Sequence, residues 1–341
     1  MIELFSGNVI ELSGDNEQLI CRKKVLQTAI SNFPNITFHV FVSKQTCEIL
    51  KFQGNNVKVN VIDGTDEDSI ISSLECLNKL SNAVYLSAGN TKTIIKHARN
   101  IIPRLYDCKR IKPALFNTYP VHDKFVIYSD MGASLSLSKE SLVWQTCASI
   151  KLVEELFGEK AVVGLFNVGA ESEKGYKILQ ETNNILRNIF PDNFYGNIEP
   201  NDLVKKVQGV NAVVTAGFIG NFGIKNFEAT ASTFKHRALN TYNNSKSLAA
   251  KFLGAIGKLC FWYLSKFNWQ ELNWRLYSGA YLIGLEKMIL ITHGRSDDVA
   301  FYNAILRVNN AKTVKIHELI LNSKEIKNIM DNLKTQTDPQ S

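Results

Sequence analysis

The segment Ala212–Asn221 constrains the fold of this chain more than any other, because an apolar run there meets two glycines and an asparagine. Its first half is β-branched and apolar, as in a buried strand of a parallel sheet. Gly217, Gly220 and Asn221 follow, and the apolar spacing after them predicts a helix over Ile224–Thr233. A strand, a glycine loop and a helix can together place N–H groups around an anion. An ordinary tight turn that needs glycine for its geometry explains this one segment equally well.

The same order of apolar strand, glycine and Asn or Asp recurs at Val84–Thr91, Phe125–Ala133 and Ala161–Gly169. Ligands of open α/β sheets bind at the carboxyl ends of the strands. We therefore interpret the four turns as parts of one shared cleft. The alternative is repeated turn chemistry, since Gly, Asn and Asp dominate turns in any fold.

The rest of the chain alternates between strand-like and helix-like patterns, which is typical of βαβ units. Strands are predicted at Ile2–Phe5, Ile36–Val42 and Val57–Ile62, and a long helix is predicted to begin at Ser138 and end at Gly158. At 341 residues the chain is long enough for one large domain with a substantial core. We expect a single α/β domain over residues 1–334 and a frayed polar tail over 335–341.

Composition narrows the possible functions. The chain is 45% hydrophobic and has a net charge of +7, but its basic residues are dispersed. Dispersed charge does not predict a nucleic-acid partner and fits an acidic partner or an anionic surface better. The six cysteines are far apart and form no Cys-x-x-Cys pair, which indicates a reducing, cytoplasmic setting. The first residues lack the pattern of a secretory signal.

The segment Leu248–Leu264 differs in character, because it is strongly apolar but carries Lys251 and Lys258 on one helical face. An amphipathic helix of this kind can lie in a membrane interface. A helix that packs on its own domain or on a dimer partner has the same pattern. Both interpretations remain open from the residues alone.

Seven motifs occur in an order that resembles the phosphate acyltransferase family of bacterial phospholipid synthesis. They are Ser87-Ala-Gly-Asn-Thr91, Asp130-Met-Gly-Ala133, Gly164-Leu-Phe-Asn-Val-Gly169 with Glu173-Lys-Gly175, Gly196-Asn-Ile-Glu199, Val213–Asn221, Gly279-Ala280 with Gly284, and His293-Gly-Arg-Ser296. The resemblance implies a three-layer α/β/α, doubly wound, mostly parallel sheet, similar to isopropylmalate dehydrogenases. It also implies a homodimer and a protruding helical hairpin over residues 231–274 that touches the membrane.

The resemblance implies transfer of an acyl group from acyl-carrier-protein to inorganic phosphate, with no cofactor and no metal. A membrane glycerol-phosphate acyltransferase would use the product. Lys174 resembles the family's catalytic lysine, and Asn221 resembles its partner amide donor. The implied substrate-binding residues are Ser87, Gly89, Asn90, Thr91, Asp130, Gly132, Gly169, Gly217, Gly220 and His293. Backbone N–H groups near Gly89, Gly132 and Gly169 are expected to form an anion-binding nest.

Several positions depart from the family pattern. Ala216 and Ser134 replace an acidic residue and an asparagine, and Ile219 replaces a threonine. Phe5-Ser-Gly-Asn8 stands near the place of the family's N-terminal Asp-Ala-Met-Gly-Gly-Asp. These changes favour an alternative function, a catalytically impaired scaffold that organises membrane lipid enzymes. A dinucleotide enzyme is disfavoured, because no Gly-x-Gly-x-x-Gly follows a strand with an acidic residue about 20 positions later.

Overall fold

The computed structural model describes residues 5–44, 51–105, 111–121, 124–203, 209–226 and 274–337, together with positions 229, 230, 233, 255 and 256. The described residues form one eleven-stranded sheet. The strands are β1 Gly7–Leu12, β2 Thr37–Ser43, β3 Val57–Ile62, β4 Ala83–Ser87, β5 Ala114–Val121, β6 Lys124–Ser129, β7 Val163–Phe166, β8 Phe194–Ile198, β9 Ala212–Val214, β10 Ala280–Ile283 and β11 Met288–Ile291.

Helices flank this sheet. They are α1 Asn16–Asn32, α2 Asp66–Lys79, α3 Thr91–Ile101, α4 Lys139–Phe157, α5 Lys177–Ile189, α6 Asp298–Val308, α7 Ala311–Leu321 and α8 Lys324–Thr337. Residues 217–226 form a further helix, called here helix 217–226. In the part of the chain that the structure describes, no helix combines the length and the apolar character needed to cross a membrane.

The sheet consists of two parallel halves that run in opposite directions. The strand order is β3-β2-β1-β4-β11-β10-β5-β6-β9-β7-β8. Strands β10 and β5 are antiparallel to their neighbours, so three reversals separate β11 from β6. The carboxyl ends of β1, β2, β3, β4 and β11 therefore lie at one end of the sheet, called here the first rim. Those of β6, β7, β8 and β9 lie at the opposite end, the second rim.

The core occupies both faces of the sheet. Alternate residues of one strand point to opposite faces, and on β1 this separates Val9 from Ile10, which belong to different buried clusters. Tyr85 and Leu86 on β4 divide in the same way. Helices α1 and α6 pack on one face of the first half, and α2 and α3 pack on the other. This arrangement confirms the predicted three-layer, mostly parallel α/β/α fold.

The long central helix α4 begins and ends where its sequence predicts. Ser138 accepts a hydrogen bond from the Ser141 N–H at 3.1 Å and so caps the first turn. Gly158 ends the helix with a φ of 66°, a left-handed conformation that glycine adopts without a Cβ penalty. Between these caps, Trp144 is fully buried. Capping residues thus set both ends of α4, and its middle is buried in the core.

The structure adds one strand to the prediction and corrects two predicted boundaries. A strand that was not predicted runs over Gly7–Leu12, where Asn8 and Glu11 are buried in hydrogen-bond networks and interrupt the apolar pattern. The strand predicted at Ile2–Phe5 lies outside the described residues except for Phe5. The helix after β9 begins at residue 217, not at Ile224. Helix α8 extends to Thr337, past the expected start of the tail, and the predicted hairpin over 231–274 lies mostly outside the described residues.

Candidate active site

Three adjacent strands bring three of the predicted site residues to the second rim. Strand β9 pairs in parallel with β6 on one side and with β7 on the other. Asp130 directly follows β6, Asn221 lies in helix 217–226 after β9, and Lys174 lies in the turn after β7. Neighbouring strands are about 4.8 Å apart, so the three segments leave the sheet side by side.

Asp130 organises the turn over residues 130–134. Its Oδ1 accepts hydrogen bonds from the N–H groups of Leu115, Gly132 and Ala133 at 2.8–3.1 Å. Its Oδ2 accepts from both the N–H and the hydroxyl of Ser134 at 2.8 Å. Burial raises the pKa of this carboxyl, and the hydrogen bonds from Leu115, Ala133 and Ser134 oppose that shift. Because its two oxygens already accept five hydrogen bonds, the role of Asp130 is to hold the backbone of the 130–134 turn in its conformation.

Helix 217–226 packs with its glycines flush against the 130–134 turn. A Cβ on Gly217 would lie 2.5 Å from Oδ2 of Asp130, and a Cβ on Gly220 would collide with the backbone oxygen of Asp130. The glycines therefore allow close approach of two backbones. One helical turn on, the side chain of the exposed Asn221 lies over Gly132, whose φ is 120°. The amide group of Asn221 is thus placed at the surface of the second rim.

The turn over residues 167–175 holds Lys174 on a fixed backbone. The Asn167 side chain donates to the Lys174 carbonyl at 2.9 Å and accepts from the Val168 N–H at 2.8 Å. Asn197 on β8 donates to the Glu171 carbonyl at 2.7 Å. The stem of Lys174 crosses Gly169, where a Cβ would lie 3.0 Å from Lys174 Cγ. Lys174 itself is exposed, so an anchored turn presents an ammonium group to solvent.

A second polar group is buried at the first rim. Glu11, near the end of β1, accepts hydrogen bonds from the hydroxyls of Ser13 and Ser87 at 2.5 Å. The Ser87 oxygen accepts the Gly89 N–H at 2.8 Å. Burial raises the pKa of Glu11 to about 7, and the two serine hydrogen bonds and the nearby Arg22 act in the opposite direction. Ser87 is thus part of an internal network.

The remaining predicted residues of the first rim have mixed roles. Asn90 caps α3 by accepting the Thr93 N–H at 3.2 Å, and Thr91 is the exposed first residue of that helix. His293 is exposed after β11, and its Nδ1 accepts the Arg295 N–H at 3.1 Å. Its Nε2 lies 3.4 Å from Nζ of Lys225, near the far end of helix 217–226. This helix therefore links the two rims.

The structure changes the expectation of one cleft at one sheet end. The reversed strands β5 and β10 place the Ser87–Thr91 and His293 turns at the first rim and the Asp130, Lys174 and Asn221 turns at the second. The predicted anion-binding nest also differs from the structure, because the N–H groups of Gly89 and Gly132 donate hydrogen bonds to side chains of their own turns. Among the described residues, the exposed side chains of Lys174 and Asn221 are donors that can meet an anion at the second rim.

Sequence reasoning missed the residues that support these turns. Asn167 and Asn197 fix the Lys174 turn, and Glu11 and Arg22 lie fully buried at the first rim. The available signal was an amide or a charge inside an apolar run, which is costly to bury without partners. Among the described residues, no group of three or more His, Cys, Asp and Glu side chains could hold a metal ion.

Solved structures share this fold. A phosphotransacetylase from Streptococcus pyogenes aligns with a TM-score of 0.54 at 12% identity, covering 91% of this chain and 94% of that one. The EutD phosphotransacetylase from Staphylococcus aureus aligns with a TM-score of 0.53 at 12% identity, covering 90% and 94%. The chain is thus an α/β protein with the fold of the phosphotransacetylases.

The sequence comparisons identify the family. Residues 49–318 match the family model described as Fatty acid synthesis protein. A phosphate acyltransferase from Pseudothermotoga lettingae is 32% identical over 284 residues, covering 83% of each chain. One from Macrococcus caseolyticus is 29% identical over 292 residues, covering 85% of this chain and 84% of the relative. This chain belongs to the phosphate acyltransferase family, whose general activity is acyl transfer in lipid synthesis.

Proposed function

We propose that this chain transfers an acyl group from acyl-carrier-protein to inorganic phosphate and so forms an acyl phosphate. The observation that carries the proposal is the second rim, where an anchored lysine and an exposed amide follow neighbouring parallel strands. Phosphate needs one cationic donor and several hydrogen bonds for its orientation, and Lys174 and Asn221 supply groups of both kinds. Family membership supplies the acyl-transfer chemistry.

In the proposed reaction, a phosphate oxygen attacks the thioester carbonyl carbon, and the carbonyl electrons move to its oxygen. The tetrahedral intermediate then collapses, the carbon–sulfur bond breaks and the carrier leaves as a thiolate. A thiol with a pKa near 8.5 is a good leaving group and needs little acid assistance. The site has to position the phosphate and stabilise the developing oxyanion. We assign the ammonium of Lys174 and the amide of Asn221 to those tasks.

The test is release of free carrier thiol from long-chain acyl-carrier-protein in the presence of phosphate. Loss of a transition-state donor costs about 10²–10³ in rate, so Lys174→Ala is expected to lower kcat by that factor. Lys160→Ala is the matched control, because Lys160 is an exposed lysine before the other end of β7. An inactive parent protein, or equal rates for Lys174→Ala and the parent, would overturn the proposal.

We also propose a cytoplasmic homodimer that binds anionic membranes peripherally through residues 231–274. The support is the apolar and basic pattern of that segment, in which each lysine near an anionic surface contributes about 1 kcal/mol. A membrane glycerol-phosphate acyltransferase is the proposed user of the acyl phosphate. Flotation with anionic vesicles tests the membrane contact, and it should weaken in Trp262→Asp. Failure of the parent protein to float would contradict the proposal.

A further inference from the structure

Glu11 is the centre of the buried network at the first rim. It lies on β1 directly opposite Ser87 on β4, and neither residue is exposed to solvent. The Ser13 hydroxyl donates to Oε1 and the Ser87 hydroxyl donates to Oε2, so the carboxylate accepts from two strand ends at once. Burial of a carboxylate costs free energy, and the hydroxyls of Ser13 and Ser87 offset part of that cost.

The network continues from Glu11 into the loop over residues 87–91. Ser87 Oγ receives the Gly89 N–H and donates its own proton to Glu11, which makes a directed chain of three groups. Gly89 also packs closely on this chain, because a Cβ there would lie 3.0 Å from Glu11 Oε2 and 3.0 Å from Ser13 Oγ. The backbone of the loop therefore packs directly against the Glu11 carboxylate.

The same network reaches the turn after β11. Arg22 on α1 is fully buried and donates to the Ser13 carbonyl and, at 2.7 Å, to the Gly294 carbonyl. The Thr292 N–H donates to the Ser87 carbonyl at 2.8 Å. Three consecutive strands of the sheet, β1, β4 and β11, thus have their carboxyl ends tied together around Glu11.

We propose that Glu11 is a positioning residue whose carboxylate holds the Ser87 hydroxyl, and through it the Gly89 N–H, so that the loop 87–91 is fixed for its part in substrate binding. The role in substrate binding rests on the proposed acyl-transfer function. The role in loop order does not, because it follows from the contacts alone.

The direction of the hydrogen bonds makes the arrangement sensitive to protonation. An ionised Glu11 accepts from both serines. A protonated Glu11 needs an acceptor for its own proton, and Ser87 Oγ, which already accepts from Gly89, can take it only by redirecting its hydroxyl. Among the described residues, the titratable groups that act on Glu11 are Arg22 on α1, Asp66 on α2 and Tyr85 on β4.

Hydrogen–deuterium exchange of peptides that contain residues 87–91 tests the proposal without reference to activity. Loss of one hydrogen bond should speed exchange of these amides by about fivefold in Glu11→Gln and in Ser87→Ala. The double variant should show no more than the larger single effect, because both changes break one chain. Ser129→Ala is the matched control, since it also removes a buried serine hydroxyl, which donates to Gln145 at 3.0 Å, but on β6 in the other half of the sheet.

A second readout is the pH profile of kcat/KM in the thiol-release assay. Burial raises the pKa of Glu11 to about 7, so activity should rise with pH through that value in the parent protein. Glu11→Asp should keep an inflection, and Glu11→Gln should lose it. Unchanged exchange of the loop in both Glu11→Gln and Ser87→Ala overturns the positioning role, whatever the assay shows. An inactive parent with altered exchange overturns only the acyl-transfer proposal.

Discussion

Two residues of the second rim, Gly217 and Gly220, are explained by the small space available to their side chains. Gly217 and Gly220 lie within a helix, where glycine is unfavourable by roughly 1 kcal/mol relative to alanine. The close approach of helix 217–226 to the Asp130 turn explains them, because a side chain at either position would meet Asp130. The glycines therefore lower the helix propensity, but they allow the helix to lie close enough to the Asp130 turn to place Asn221 over Gly132.

This explanation predicts opposite effects of alanine at two glycines of the same helix. Gly220→Ala should lower the free energy of unfolding by about 1–3 kcal/mol, as expected for overpacking, because its Cβ would collide with the Asp130 carbonyl. Gly223→Ala should raise it by about 0.4–1 kcal/mol, since no atom lies within 4 Å of a Cβ there. Urea denaturation measures both. Equal destabilisation by the two changes would contradict the packing explanation.

At the scale of elements, turns anchored by asparagine side chains present the candidate catalytic groups. The 167–175 turn has no regular secondary structure, yet Asn167 and Asn197 tie its backbone at Lys174 and Glu171. Asn183 on α5 donates to Asn197 at 2.9 Å and extends the support into a helix. Lys174 thus has a hydrogen-bonded backbone and an exposed side chain, so its ammonium group is accessible to an anionic substrate.

We expect Asn167→Asp to lower kcat by about ten- to a hundredfold, the loss typical of misplaced catalytic groups. The aspartate keeps the acceptor for Val168 but loses the donor to the Lys174 carbonyl. Asn193→Asp is the matched control, because Asn193 donates to the Ala161 carbonyl at 2.8 Å just before β8, away from the second rim. Thiol release and thermal unfolding are measured for both. A similar loss of kcat in the control would remove the special role of Asn167.

The fold could be predicted further than the site. Strand β3 has the predicted bounds and helix α4 has the predicted caps, because their apolar patterns and flanking turn residues agree. Prediction of where the site residues meet would have required the directions of the strands. Nothing in the apolar runs of β5 and β10 indicates that they run against their neighbours, yet they divide the glycine turns between two rims. Glu11 was missed because an acidic residue after an apolar run normally indicates that the strand has ended, whereas Glu11 is buried within β1.

At the scale of the whole molecule, helix 217–226 joins the two halves of the sheet. It begins at the Asp130 turn on the second rim, and Lys225 near its other end approaches His293 on the first. Its outer side presents Phe218 and Phe222, four residues apart and each 63% exposed. Residues at this spacing share one helical face. Apolar area of this kind on a surface helix is typical of an interface.

We predict that Phe218 and Phe222 contribute to the proposed dimer contact, together with the apolar segment that follows them in the sequence. Burial of a phenylalanine contributes about 1.5–3 kcal/mol, and each 1.4 kcal/mol is a tenfold change in affinity. Phe222→Asp should therefore weaken dimerisation by about tenfold or more. Ile20→Asp is the control, because Ile20 on α1 is 57% exposed in the other half of the sheet. Sedimentation velocity at micromolar concentration measures both, and a monomeric parent protein or equal dissociation of the two variants would refute this interface.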